Sequence, residues 1–334
     1  MDEILEVNDL KVSFFLPEGE IQAVRGVDFN LFQGEVLAIV GESGSGKSVT
    51  AQAIMRLLPE PPGKILNGKV LFQGVNLLQL SKKQMQKIRG QEIGMIFQDS
   101  ATSLNPTMPI GKQIAEMLVF HRKISWKDVT SETIELMKMV GLSAPEERMG
   151  QYPHQLSGGM RQRIMIAIAL AGNPKILIAD EPTAALDATI QLQIMLLLKS
   201  IQEKTGIGII IISHNLGVVA DLAARIIVMY AGKIMELGPA DKILLSPQHP
   251  YTFGLIKSWP RFGNTAGKKL FFMPGQPPDL LRPPQGCPFA PRCASSMVIC
   301  HKIMPPMFHL NRNQRVACWL KHPQASLTGR RLNR

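Results

Sequence analysis

The segment Gly41-Glu42-Ser43-Gly44-Ser45-Gly46-Lys47-Ser48 sets glycines, a lysine and a hydroxyl at the spacing G-x-x-x-x-G-K-[ST]. Glycines so placed let backbone N–H groups turn inward around phosphate oxygens, and a helix opening there adds its positive end. Lys47 then reaches toward the β- and γ-phosphates of a nucleoside triphosphate, and the Ser48 hydroxyl toward Mg²⁺. A second segment, Ile176-Leu177-Ile178-Ala179-Asp180-Glu181, is an apolar run that ends in two carboxylates. An Asp at that point orients Mg²⁺, and Glu181 is placed to polarise the water that attacks the γ-phosphate. Singly, each segment has a plainer reading: a glycine turn, or acids at a helix N-terminus. Together, and in this order, they read as phosphoryl-transfer chemistry.

Leu156-Ser157-Gly158-Gly159-Met160 precedes a helical stretch opening Arg161-Gln162-Arg163. Ser157 is a natural N-cap, yet two glycines at a helix start also form an anion-binding nest. One phosphate loop and a second phosphate-reading helix start exceed what one nucleotide in one subunit needs, which implies a site shared by two subunits. The four cysteines, Cys287, Cys293, Cys300 and Cys318, all fall in one 32-residue window with C-x₅-C-x₆-C-x₁₇-C spacing. Such confinement suggests shared ligation. Disulfides do not suit a reducing cytosol, and the paired C-x₂-C spacing of zinc sites is missing. Cys₄ ligation of an iron–sulfur cluster fits the ligand count, with zinc and unligated thiols as alternatives.

These groups need elements to hold them. Period-two alternation from Leu5 to Phe14 and at Val27, Phe29 and Leu31 predicts strands. A buried strand Val36–Val40 feeds the glycine loop, and a helical pattern follows over Val49–Leu58. Val70–Phe72 and Ile93–Phe97 read as further strands, and Ile110 to about Leu142 as helical. The continuous apolar runs Ile176–Ala179 and Ile207–Ile212 match strands buried on both faces of a parallel sheet. Strands alternating with helices predict an α/β fold with a helical insertion near residues 100–165. The boundaries expected are an ATPase domain over 1–256 and a loop-rich appendage over 257–334, which holds 11 of the chain's 24 prolines.

Charge divides along the same line. Of a net +11 in 334 residues, residues 257–334 carry 13 basic residues and one acid, while residues 1–256 are near neutral. No run reaches the roughly 18 apolar residues that span a bilayer, and the acidic start MDEILE lacks the basic region of a secretory signal. A cytosolic chain is expected, unless something else holds it at a membrane.

In order and spacing, residues 4–245 resemble a nucleotide-binding subunit of an ABC transporter. The resemblance implies an ABC-type P-loop ATPase domain with a β-rich N-terminal subdomain, a parallel-sheet core and a helical insertion, plus a small Pro/Cys-rich C-terminal appendage. Gly41–Ser48 resembles the Walker A loop and Ile176–Asp180 the Walker B strand, with Glu181 the catalytic glutamate and His214 the switch histidine. Gln98, in Ile96-Phe97-Gln98-Asp99, sits at the Q-loop position. Nucleotide contacts are implied for Phe14 (Phe15 the alternative), Gly41, Ser43, Gly44, Ser45, Gly46, Lys47, Ser48, Val49 and Gln98, with Mg²⁺ on Ser48, Gln98 and Asp180. Ser157, Gly158 and Gly159 resemble the LSGGQ signature, and Ala185-Leu186-Asp187 the D-loop; both would act on ATP held by the opposite subunit. Met160 replaces the signature Gln, and Asn215 the Asp that follows the histidine.

Ser103-Leu104-Asn105-Pro106, Tyr152-Pro153-His154, His249-Pro250-Tyr251-Thr252 and Gly286–Cys293 narrow the resemblance to the dipeptide, oligopeptide and nickel importers. Some members of that branch bind a four-iron four-sulfur cluster through C-terminal cysteines like these. The implied function is ATP hydrolysis that energises peptide uptake, with nickel or a metal chelate as the alternative cargo. The implied partners are two permease subunits, a second ATPase subunit (a heterodimer rather than a homodimer) and, indirectly, an extracytoplasmic substrate-binding protein. The chain would sit peripherally at the cytoplasmic face of the inner membrane, where the basic tail suits anionic lipid. A soluble ABC ATPase acting on nucleic acid is disfavoured, because the tail has few aromatics among its charges for base stacking.

Overall fold

The computed structural model describes residues 2–98, 103–184, 186–258, 272–311 and 313–328. Asp99, Ala185 and the change of texture at Pro260 lie outside them. The chain forms two compact units, one from residues 1–5, 30–37 and 71–213, the other from residues 6–29, 38–70 and 214–334.

The first unit is built on three parallel strands, Ile93–Ile96, Ile176–Asp180 and Gly208–Ser213, with Ile176–Asp180 in the middle. Register runs from Ile93 opposite Ile176 to Asp180 opposite Ile212. Every residue of the last two strands is buried, as continuous apolar runs require when both faces are covered. The helix Gly158–Leu170 packs on the strand Ile93–Ile96, and the helices Ile110–Arg122 and Val129–Met139 pack on it and on each other. Gly94 and Gly172 allow that closeness, since a Cβ on either would strike the backbone carbonyl of Ala169 or Gly90.

The helical stretch expected over Ile110–Leu142 is two helices. Lys123 adopts a left-handed φ of 55°, and Ser125 then closes a local turn, its hydroxyl accepting the Asp128 N–H at 3.3 Å. Side-chain-to-backbone bonds of this kind compete with helix continuation. On the first helix Ile110, Ile114 and Leu118 form a fully buried stripe at four-residue spacing.

The second unit carries a sheet in the order Gly19–Phe32, Glu3–Leu16, Gly63–Phe72, counting only the parts that belong to this unit. The strand Val36–Val40, buried throughout, delivers the chain to the glycine loop. The helix beyond it spans Lys47–Ile54, shorter than the Val49–Leu58 pattern. It stops where Arg56 takes a left-handed φ of 51°, a turn that brings Leu58 under cover. A hairpin of Arg225–Tyr230 and Lys233–Pro239 is extended by the C-terminal strand Arg315–Val316, with Glu236 opposite Val316. Residues near the C-terminus are thus hydrogen-bonded into this unit's sheet. Glu236 is fully buried there, and its carboxylate accepts the backbone N–H groups of Gln248 and His249 and the Gln314 amide. Burial raises its pKa, and these donors offset part of that rise. Among the described residues no helix is long and apolar enough to cross a membrane.

Candidate functional site

In the second unit the glycine loop is held from several sides. Gly46 takes a φ of 97°, and a Cβ there would come within 2.5 Å of the Ala23 carbonyl. A Cβ on Gly41 would strike the Met229 carbonyl. Gly232, at the hairpin turn, donates its N–H to the Ser45 carbonyl at 3.0 Å. Lys47 is 5% exposed, and its ammonium donates to the carbonyls of Gly41 and Glu42, each at 2.9 Å, and to Ser45 Oγ at 3.3 Å. Ser43 and Gly44 are exposed at the tip, and Ser48 and Val49 are half-buried. The helix Lys47–Ile54 has no acidic residue in its first turn and no side-chain cap. A helix start with no acid of its own in the first turn keeps its positive end available to a bound phosphate. Phe14 is half-buried with its ring against Gly63, whereas Phe15 is 49% exposed. His214 is exposed, and Asn215 accepts the Gly217 N–H at 3.0 Å, capping Leu216–Ala220. The departure at residue 215 thus has a local structural use.

In the first unit Asp180 is 4% exposed at the end of its strand. Glu181 follows in a left-handed conformation, φ 47°, with its N–H donated to the Ile212 carbonyl at 3.0 Å. That backbone costs a non-glycine residue about 1–3 kcal/mol and persists only where the surrounding structure holds it. It turns the Glu181 carboxylate to accept a hydrogen bond from Gln98 Nε2 at 3.0 Å. The sequence treated these two as separate candidates; the fold joins them across 83 positions. Ser157 and Asp187 both act as N-caps, accepting the N–H groups of Met160 at 3.3 Å and Ile190 at 3.0 Å. Gly158 and Gly159 sit against Leu186 and Ile190, so the two segments adjoin within this unit. The helix they open, Gly158–Leu170, has no acid in its first turn either. Chemically, one unit offers a phosphate cradle with its cation, and the other offers paired carboxylates and a second anion-friendly helix start.

The model for the ABC transporter family matches residues 24–184, and that for the oligopeptide/dipeptide transporter C-terminal region matches residues 235–300. The chain is 55% identical over 322 residues to the oligopeptide transport ATP-binding protein OppD of Bacillus subtilis (strain 168), covering 96% of this chain and 90% of that protein. The chain belongs to the ABC transporter family of ATP-binding subunits. It is also 52% identical over 325 residues to the dipeptide transport ATP-binding protein DppD of the same organism, covering 97% of each. A dimeric ATP-binding cassette solved in a post-hydrolysis state with ADP and Pi matches with a TM-score of 0.64 at 31% identity, over 71% of this chain and 99% of that one. As an ABC ATP-binding subunit the chain is an ATPase, and the family couples ATP hydrolysis to transport.

The matched C-terminal region holds Cys287, Cys293 and Cys300, and Cys318 lies beyond it. All four are free thiols and line one cavity together with His249 and Phe289. Burial pushes the Cys287 thiol up to about 12 and that of Cys318 up to about 11, so both are held protonated. Cys287 donates its N–H to the Cys300 carbonyl at 2.7 Å, and Cys300 Sγ accepts the Met297 N–H at 3.4 Å. Four thiols on one cavity are the donor set of a Cys₄ centre. Among the described residues, however, no three or more His, Cys, Asp or Glu side chains are already disposed to hold a metal ion. Ligation here would require loss of the thiol protons and local closure.

Glu42, Tyr251 and Arg292 stand in the sequence within separate motifs that give them no role, and Tyr230 is not singled out there; the fold brings the four together at the glycine loop. Arg292 stands within Gly286–Cys293, a segment read for its cysteines, and nothing along the chain marks Glu42 as its partner.

Proposed function

We propose that this chain is the ATP-hydrolysing subunit of a peptide importer, working at the cytoplasmic face of the inner membrane through separate permease subunits. The observation that carries the reading is the 55% identity, across nearly the whole chain, to a protein named for oligopeptide transport. The matched oligopeptide/dipeptide C-terminal region supports it. In this reading residues 1–256 are the ATPase domain and residues 257–334 the branch-specific region.

Gly41 to Ser48 cradle the triphosphate, Val49 supports it from the first helical turn, and Phe14 stacks on adenine. Ser48, Gln98 and Asp180 would hold Mg²⁺, which when bound would neutralise charge on the β- and γ-phosphate oxygens. Glu181, oriented by Gln98, takes a proton from the attacking water, and His214 assists at the γ-phosphate. Ser157, Gly158, Gly159 and Asp187 close on ATP held by a second, different ATPase subunit. Two permease subunits form the pore, and an extracytoplasmic binding protein delivers the peptide to them. Co-purification from detergent-solubilised membranes tests this: the chain is expected to travel with two permease subunits and a second ATPase. A chain that stays fully soluble and binds RNA or DNA with a steep salt dependence would overturn it.

The convergence of Cys287, Cys293, Cys300 and Cys318 on one cavity supports a further assignment, thiolate ligation of a four-iron four-sulfur cluster. Anaerobically purified chain is then expected to contain iron and acid-labile sulfide. Absence of both returns the cysteines to zinc or to bare thiols.

A further inference from the structure

Glu42, the second residue of the glycine loop, is gripped by the C-terminal region. Arg292 Nη1 donates to Glu42 Oε2 at 2.8 Å and Nη2 to Oε1 at 3.1 Å, a two-pronged pair. The guanidinium is itself fixed: Nη1 also donates to the Tyr230 hydroxyl at 2.9 Å and Nε to the Pro274 carbonyl at 2.8 Å. Its carbon lies 5.7 Å from the ring centroids of both Tyr230 and Phe289. Only 6% of the Arg292 side chain and 23% of the Glu42 side chain are exposed, so this pair is far drier than a surface salt bridge.

Glu42 is held at its other ends as well. Its N–H donates to the Tyr251 hydroxyl at 2.9 Å, and its carbonyl accepts the Lys47 ammonium at 2.9 Å. Tyr230, Tyr251 and Phe289 pack as one aromatic cluster, with centroids 4.5 to 5.6 Å apart. Glu42 therefore joins Arg292 on one side to Lys47 on the other. Phe289 also lines the cysteine cavity, so the wall of that cavity and the seat of Arg292 are the same side chain.

An arginine that only anchored the tail could use any carboxylate on this unit. Here it takes the one carboxylate within Gly41–Ser48, through the planar fork that a lysine lacks. We propose that Arg292 is a positioning residue for the nucleotide: by holding Glu42 it sets the shape of the phosphate loop, and the C-terminal region thereby governs affinity for ATP. The inference rests on Gly41–Ser48 being the ATP loop. Arg292 acts on the backbone shape of the cradle through Glu42 and itself donates nothing to charge that develops in the transition state. Its loss is therefore expected in KM and Kd rather than in kcat.

The test uses the full chain with fluorescent ATP titration, steady-state ATPase kinetics and urea unfolding on each variant. Arg292→Gln is expected to weaken ATP binding about tenfold while kcat stays within about twofold. Arg292→Lys recovers only part of the loss, because one ammonium cannot serve both oxygens. Glu42→Gln breaks the pair from the loop side, leaves the Arg292–Pro274 contact in place, and is expected to reproduce the loss. The double variant should be no worse than Arg292→Gln alone, as for two groups acting as one unit. Wild-type ATP affinity in Arg292→Gln, or losses that multiply in the double variant, would overturn the proposal. Lys47→Met is the control: if it too binds ATP normally, the reading of the loop falls and the inference with it. If Lys47→Met fails and Arg292→Gln does not, the Arg292 inference alone falls.

Discussion

Glu181→Gln is expected to leave ATP affinity unchanged and to slow phosphate release on the order of 10²–10⁴-fold, the usual worth of a general base. The substitution keeps size and shape, and an amide oxygen can still accept the Gln98 Nε2 hydrogen bond that Glu181 receives at 3.0 Å. The left-handed backbone at Glu181, φ 47°, is held by the hydrogen bond to the Ile212 carbonyl and does not depend on the side-chain charge. What disappears is basicity alone. Single-turnover phosphate release, set beside nucleotide titration, checks both halves of the expectation. Turnover at the wild-type rate would remove Glu181 from the proposed role and leave its strained backbone without a chemical use.

Lys47→Met is the second large effect. The methionine keeps most of the aliphatic stem in a site only 5% exposed, so packing is largely preserved. The ammonium that donates to the carbonyls of Gly41 and Glu42 is lost, and with it the cation of the loop. Weak ATP binding is expected, with turnover reduced on the order of 10²–10³-fold, as when one preorganised donor to developing charge is removed. Nucleotide titration and turnover on chain shown to be folded by its urea transition measure this directly. Unimpaired turnover would separate Gly41–Ser48 from phosphate binding.

Some of the fold was legible because its causes are local. The start of the helix after the glycine loop and the cap at Ser157 follow from residue types and hydrogen bonds within a few residues. The buried strands Ile176–Asp180 and Gly208–Ser213 follow from continuous apolar runs. Where a local signal was weaker than the pattern around it, the reading fell short. The helix read as Val49–Leu58 ends at Ile54, and the helical spacing over Ile110 to about Leu142 did not reveal the Ser125–Asp128 turn that divides it.

The sequence by itself determined that this chain carries an ATP-type phosphate loop, a carboxylate-ended strand and a cysteine-bearing tail, because residue type and short spacing encode backbone shape and donor chemistry directly. Only the tertiary structure decided what those parts touch. Gln98 meets Glu181 across 83 positions, and Arg292 meets Glu42 across 250. Partners so far apart are chosen by strand order, strand register and the packing of Tyr230, Tyr251 and Phe289. A carboxylate or a guanidinium read along the chain bears no mark of which partner it will reach.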